Sequence, residues 1–130
     1  MQPELFTHRS PGAQLITGVG VPALFGLVTG VVLGVSEVLY LLLSVLAIAG
    51  GLLAGLEHRG AEEGLVRGVT GGLLFGTFIL VGHEFIGGEA KADLPEPKIL
   101  LVLITTLAGG LLGALGGWRR GRRRATEPQT

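Results

Sequence analysis

Long apolar runs alternate along this chain with short polar intervals. The first extends from Ala13 to Val35, the second from Val38 to Leu56, the third from Leu65 to Ile86 and the fourth from Ile99 to Trp118. Each is close to the length of about 20 residues that a helix needs to cross a ~30 Å hydrocarbon core. None alternates strictly between apolar and polar over segments of about ten residues, as a strand of a membrane barrel does. In lipid every backbone N–H and C=O must be paired internally, so the pattern predicts helices. The expected fold is an all-α membrane protein, a four-transmembrane-helix bundle forming one membrane domain over residues 1–130.

The intervals carry helix-end signals. Ser10-Pro11 reads as an N-cap followed by proline at the first helical position. Gly34 and Ser36 mark a tight turn between the first two helices. Gly60 and the pair Gly87-Gly88 follow the second and third helices, where glycine is favoured just past a C-terminus. Asp93-Leu94-Pro95-Glu96-Pro97 is a loop leading into the fourth helix. Pro22 lies inside the first helix and predicts a kink there. The first run exceeds the apolar region of about 7–15 residues in a signal peptide and lacks its small-residue cleavage pattern.

The same residues repeat. Leu15 to Gly26 matches Leu65 to Gly76 at six of twelve positions, at an offset of 50. Ala49 to Leu56 matches Ala108 to Leu115 at six of eight, at an offset of 59. The chain therefore reads as two tandem glycine-rich helical hairpins, 11–60 and 61–118, followed by a basic cytoplasmic tail, 119–130. Two hairpins that face the same way form a parallel internal repeat about an axis along the membrane normal.

Glycine supplies 24 of the 130 residues, well above its usual share of about 7%. Its placement is ordered. The first helix carries Gly18, Gly26, Gly30 and Gly34 in step with Pro22, and the second carries Gly51 and Gly55 in step with Ala47. The third carries Gly64, Gly68, Gly72 and Gly76, and the fourth carries Gly109, Gly113 and Gly117 in step with Thr105. Residues four apart share a helix face, and small residues there let helices approach closely in lipid. These thirteen glycines are the expected helix-packing positions, within one chain or between copies in a homo-oligomer.

Net charge is zero, with ten basic and ten acidic residues, but position breaks the balance. Four spans put both termini and the middle loop on one side. That side holds Arg9, Arg59, Arg67, Arg119, Arg120, Arg122, Arg123 and Arg124, against Lys91 and Lys98 on the other. By the positive-inside rule both termini are cytoplasmic, in a multi-pass protein of the cell (inner or plasma) membrane. The five-arginine cluster after Trp118 is an expected anchor on anionic lipid headgroups. Trp118 and Tyr40 fit interfacial belt positions. A basic run alone is weak evidence for nucleic acid, which is not an expected partner.

Little chemistry is visible. There is no cysteine, which excludes disulfides, thiolate metal sites and a cysteine nucleophile. No catalytic or nucleotide-binding motif is present. The duplicated hairpin is similar to the ion-translocating rotor proteolipids. Those need a carboxylate inside the outer helix of a hairpin, and the second and fourth helices have none at mid-depth, so that class is excluded. The mid-depth hydroxyls Thr29, Ser44, Thr70, Thr77, Thr105 and Thr106 are expected to bond to carbonyls one turn back. Arg67 is expected to snorkel to the headgroups and to pair with Glu63, four residues earlier. Glu57-His58, with Glu62 and Glu63 nearby, lies at the end of the second helix. His83 with Glu84, on the same side as Glu37, is the weak candidate for a metal or pH-sensing group; neither a metal nor any other cofactor is the expectation. The reading is of a non-enzymatic packing or assembly module, or accessory subunit of a membrane complex. The alternative is a small-solute transporter or pore at the hairpin interface or within a homo-oligomer.

Overall fold

In the computed structural model, which describes residues 5–126 and side chains as far as Arg123, four helices are long and apolar enough to cross a membrane. They are α1 (Pro11–Leu33), α2 (Glu37–Gly55), α3 (Ala61–Ile86) and α4 (Ile99–Thr126). The described residues contain no strand. A short 3-10 turn, Phe6–His8, precedes α1.

Local chemistry sets the ends. The Ser10 hydroxyl accepts from the Ala13 N–H, with Pro11 at the first helical position. The Ser36 hydroxyl accepts from the Leu39 N–H and starts α2. Gly87 caps α3 with φ 78°, a backbone conformation that glycine adopts without strain. Gly60 differs from expectation, because its extended backbone caps the start of α3 and not the end of α2. Helix α3 therefore begins at Ala61, with Glu62 and Glu63 in its first turn, where the helix dipole favours carboxylates. Helix α4 also runs past Trp118, through the arginine cluster to Thr126. Cations at a helix C-terminus are favourable, so the cluster prolongs the helix and does not form a separate tail. Ala125 and Thr126 still belong to this helix, and residues 127–130 lie outside those described.

Helix α1 is broken at the expected proline, in a specific way. Ile16–Gly20 form a π turn in which the Val21 N–H reaches back to the Ile16 carbonyl. The next amide along is that of Pro22, which has no hydrogen. The Thr17 carbonyl is thus left without a donor from its own helix. A π turn beside a proline is one of the few recognised causes of a helix irregularity.

The helices pack in the order α1–α3–α4–α2. The closest pairing is α3 on α4, followed by α1 on α3 and then α2 on α4; α2 on α3 and α1 on α2 are sparser, and α1 scarcely meets α4. Backbone contact dominates. A Cβ on Gly26 or Gly30 would collide with the carbonyls of Phe75 or Ile79 of α3. A Cβ on Gly64, Gly68, Gly72 or Gly76 would collide with Gly113, Gly109 or Thr105 of α4. Gly109 and Gly113 face back onto Gly68 and Gly64, Gly55 meets Gly113, and Gly117 meets the Gly60 carbonyl. Three of the thirteen behave otherwise. Gly18 lies under the Phe6 ring and not against a helix, Gly34 has only ordinary contacts, and Gly51 meets the Leu112 side chain.

Large side chains fill one region, where Leu33, Tyr40, Ile79 and Leu101 cluster under Ala90, Ala92 and Leu94 of the 87–98 loop. The Lys91 N–H ties that loop to the Leu33 carbonyl at 2.8 Å. Tyr40, near the start of α2, is therefore buried between helices. Trp118 is about half-exposed, with the Arg122 guanidinium 5.0 Å from its ring.

Candidate functional site

A cavity of about 510 Å³ lies between the four helices, within the range of about 300–1,000 Å³ usual for small-molecule sites. Its walls are Pro22 and Phe25 of α1, Ser44 to Ala54 on one face of α2, the glycine face of α3, and Ile104 to Leu112 of α4. It exists because α1 and α2 stand apart while α3 closes on α4. The aliphatic hydroxyls that line it are already used, and the remaining one is the Tyr40 phenol. Thr17 donates to Ala13 O at 2.8 Å, Ser44 to Tyr40 O at 2.8 Å and Thr105 to Val102 O at 3.0 Å. Thr29, Thr70 and Thr106 likewise donate to carbonyls one turn back. Beyond that phenol the walls are effectively apolar, with one charged exception.

That exception is Arg67, the charged residue among those lining the cavity. Its Nη2 donates to the orphaned Thr17 carbonyl at 2.9 Å, and its guanidinium carbon lies 5.0 Å from the centre of the Phe6 ring. Its Nε is buried and has no hydrogen-bond partner. The expected pairing with Glu63 is not made. The Glu63 carboxylate instead accepts from the Arg59 N–H at 3.3 Å and lies 3.9 Å from His58 Nδ1.

A second cleft, of about 930 Å³, opens at the end of the bundle that carries the arginines, and Arg67 lines it too. Phe6, Gln14, Gly18, His58, Glu62 and Glu63 make up much of its wall. The segment before α1 folds over this end. The Phe6 N–H donates to Glu57 O at 2.9 Å, and Arg9 grips the Glu57 carboxylate at 2.6 and 3.3 Å. The Phe6 ring rests on His58, with centroids 5.4 Å apart. Burial holds the His58 imidazole below its ordinary pKa; the Arg67 charge adds to the shift and Glu63 and Glu57 oppose it. Sequence spacing contained no sign of this arrangement, since Arg9 and Glu57 are 48 residues apart and fall outside any helical period.

The metal candidates do not converge. His83 is buried against Gly30 and Gly34 of α1. Glu84 is exposed and sits 3.8 Å from Lys98, and Glu37 is exposed at the start of α2. Among the described residues no three His, Cys, Asp or Glu side chains come together as a ligand set. The arginine cluster divides. Arg119, Arg122 and Arg123 are exposed, whereas Arg120 is buried and donates to the Leu56 carbonyl at 2.6 Å. Arg120 caps the end of α2, which corrects its assignment as a lipid anchor. The Arg124 side chain lies outside those described.

Comparison of the chain with protein-family models, with curated proteins and with solved structures returns no match.

Proposed function

We propose that this is a non-enzymatic integral membrane protein that admits a small, largely apolar solute into the cavity between its helices. One observation carries the reading: Arg67 lines both the inter-helix cavity and the cleft at the arginine-rich end. With Thr17 and Phe6 it forms the partition between two spaces that together run along much of the bundle. A helix irregularity beside such a space, with a backbone carbonyl turned to a side chain of another helix, is akin to the interrupted helices on which many transporters build their substrate sites.

The reading keeps the cytoplasmic placement of both termini, because the arginines gather at one end. It also keeps the parallel repeat. Helix α1 packs on α3 and α2 on α4, the pairs that the sequence repeat equates. Gly68 lies on Gly109, but their counterparts by the repeat, Gly18 and Gly50, do not meet; Phe6 covers Gly18 and Gly50 faces open space. The cavity lies where the first hairpin lacks the contact that closes the second. Most of the glycine faces are spent inside one chain, which favours a folded monomer over a glycine-built homo-oligomer.

The chain has no cysteine, so Ser44→Cys places a unique reporter thiol in the cavity. Proteoliposomes are expected to show saturable uptake from a panel of small apolar and amphipathic solutes. A reagent that modifies the introduced thiol is expected to block it. Absence of uptake across the panel, together with a thiol that no permeant reagent reaches, would overturn the reading.

A second reading is supported by α2, whose apolar window is only 6% buried. Leu41, Leu42 and Val45 of that helix are all exposed and lie outside the cavity lining. An accessory subunit would dock there on a membrane partner. Charged substitution along this face abolishes co-purification in that case and leaves solute uptake unaffected.

A further inference from the structure

We infer that Arg67 anchors the head of a single-chain carboxylate, a fatty-acid-like amphiphile whose chain fills the inter-helix cavity. The inference rests on the cavity reading above and names its ligand. Arg67 lies six residues into α3, about 9 Å from its start at ~1.5 Å per residue. An ionisable side chain at such a position is expensive and functional by default, and the first question is what compensates it. Among the described residues no carboxylate forms an ion pair with it. The nearby Glu57 is held by Arg9. What Arg67 has is a carbonyl, an aromatic face and an Nε–H left without an acceptor in a buried position.

An anion is the partner that would satisfy this Nε–H and the guanidinium charge together. The side edge of a guanidinium presents Nε–H and an Nη–H in parallel, a fork that matches the two oxygens of a carboxylate. The remaining space defines the rest of the ligand. From Arg67 to Ile79 the lining of α3 extends over twelve residues, about 18 Å. Along it the hydroxyls of Thr17, Ser44 and Thr105 are turned to their own helices. Apart from the Tyr40 hydroxyl, little there offers hydrogen bonds to a sugar, amino acid or nucleotide. An elongated apolar chain satisfies it, and the sparse packing of α1 on α2 leaves a lateral way in from lipid.

The test is equilibrium binding of radiolabelled palmitate to the purified full-length chain in a non-ionic detergent. The competitors are palmitate, methyl palmitate, hexadecanol, hexadecyl phosphate and acetate. Palmitate is expected to compete at least tenfold better than its methyl ester or the alcohol, with acetate inert. Arg67→Gln is expected to weaken palmitate at least tenfold and to leave the methyl ester unchanged. If that variant does not fold, the ratio of palmitate to methyl ester on the native chain decides. Gly50→Leu, placed in open space on the cavity wall, is expected to weaken palmitate and ester alike. Equal competition by acid and ester overturns the anchor; if Gly50→Leu still weakens both, the cavity reading survives it. Tighter competition by hexadecyl phosphate, or displacement by acetate alone, overturns the carboxylate or the chain. No palmitate binding overturns the inference, and only a simultaneous failure of the Ser44→Cys experiment removes the cavity reading as well.

Discussion

The Arg67 guanidinium donates across from α3 to the Thr17 carbonyl of α1 at 2.9 Å, the carbonyl that the π turn and Pro22 together deprive of a donor. A proline in one helix thereby holds an arginine of another. In Pro22→Ala the new amide can supply the missing hydrogen bond within α1. Arg67→Gln in the native chain is expected to cost about 1–3 kcal/mol, as a buried acceptor loses its partner. In the Pro22→Ala background the same change is expected to cost less, with a coupling of about 0.5–3 kcal/mol between the two sites. A double-mutant cycle of unfolding free energies in mixed micelles measures it; strict additivity would mean that proline and arginine are unrelated.

Gly68 and Gly50 are both helical glycines, yet their surroundings are opposite. A Cβ on Gly68 would strike the Gly109 carbonyl, whereas one on Gly50 meets nothing within 4 Å. Gly68→Ala is expected to destabilise the chain by at least the ~1–3 kcal/mol typical of overpacking, because backbone cannot rotate away. Gly50→Ala is expected to stay within about 0.5 kcal/mol. Gly72→Leu is expected to follow Gly68→Ala, since Gly72 faces the Thr105 carbonyl. Unfolding titrations check all three, and chromatography with light scattering separates loss of fold from a change in oligomeric state.

Neighbouring arginines are expected to differ sharply. Arg120→Ala removes the donor from the Leu56 carbonyl and is expected to cost about 1–3 kcal/mol. Arg119→Ala removes an exposed charge and is expected to stay within about 0.5 kcal/mol. Its effect belongs in binding to anionic vesicles, where each cation near the surface contributes about 1 kcal/mol. Thermal midpoints and vesicle co-sedimentation separate the two roles.

Acid is expected to loosen the end of the bundle that carries His58. Burial and Arg67 place its folded-state pKa below the ordinary 6.5. The stability linked to it is complete above pH 6.5 and is lost as pH falls through the lowered folded-state value. His58→Phe keeps the ring contact with Phe6 and is expected to remove this acid component. Amide exchange at Phe6, whose N–H is held by Glu57 O, read between about pH 8 and 5 in both chains, checks the sign.

The four helices were legible from apolar run length alone, because lipid makes helix formation nearly obligatory for such runs. Their caps were mostly legible from Ser10, Ser36 and Gly87, where a single residue determines the local geometry. Close glycine contacts were foreshadowed by spacing, but spacing cannot say which helix a face will meet; Gly18 in the first stripe found an aromatic ring. The site itself was not legible. Arg67 lies one turn after Glu63, which suggested a local ion pair, whereas its actual partners are Thr17, 50 residues away in α1, and Phe6 before it. Arg120 and Arg119 are adjacent in sequence and separate only once a helix face is assigned to each.

The order in which the chain is made gives the weak pairing of α1 with α2 a further meaning. Synthesis delivers the first hairpin before the second, and Gly26 and Gly30 emerge with their close-contact surface still untranslated. Helices α2 and α3 both touch all three of the others, but α3 makes the two closest pairings. Until the second hairpin arrives, the first two helices lack the partners of their closest contacts, and their small-residue faces stay uncovered. Most of the packing is thus deferred to the second half of translation, and a nascent chain arrested before residue 61 would have only the sparse α1–α2 contact and the hold of Phe6 and Arg9 on Glu57 to join its two spans.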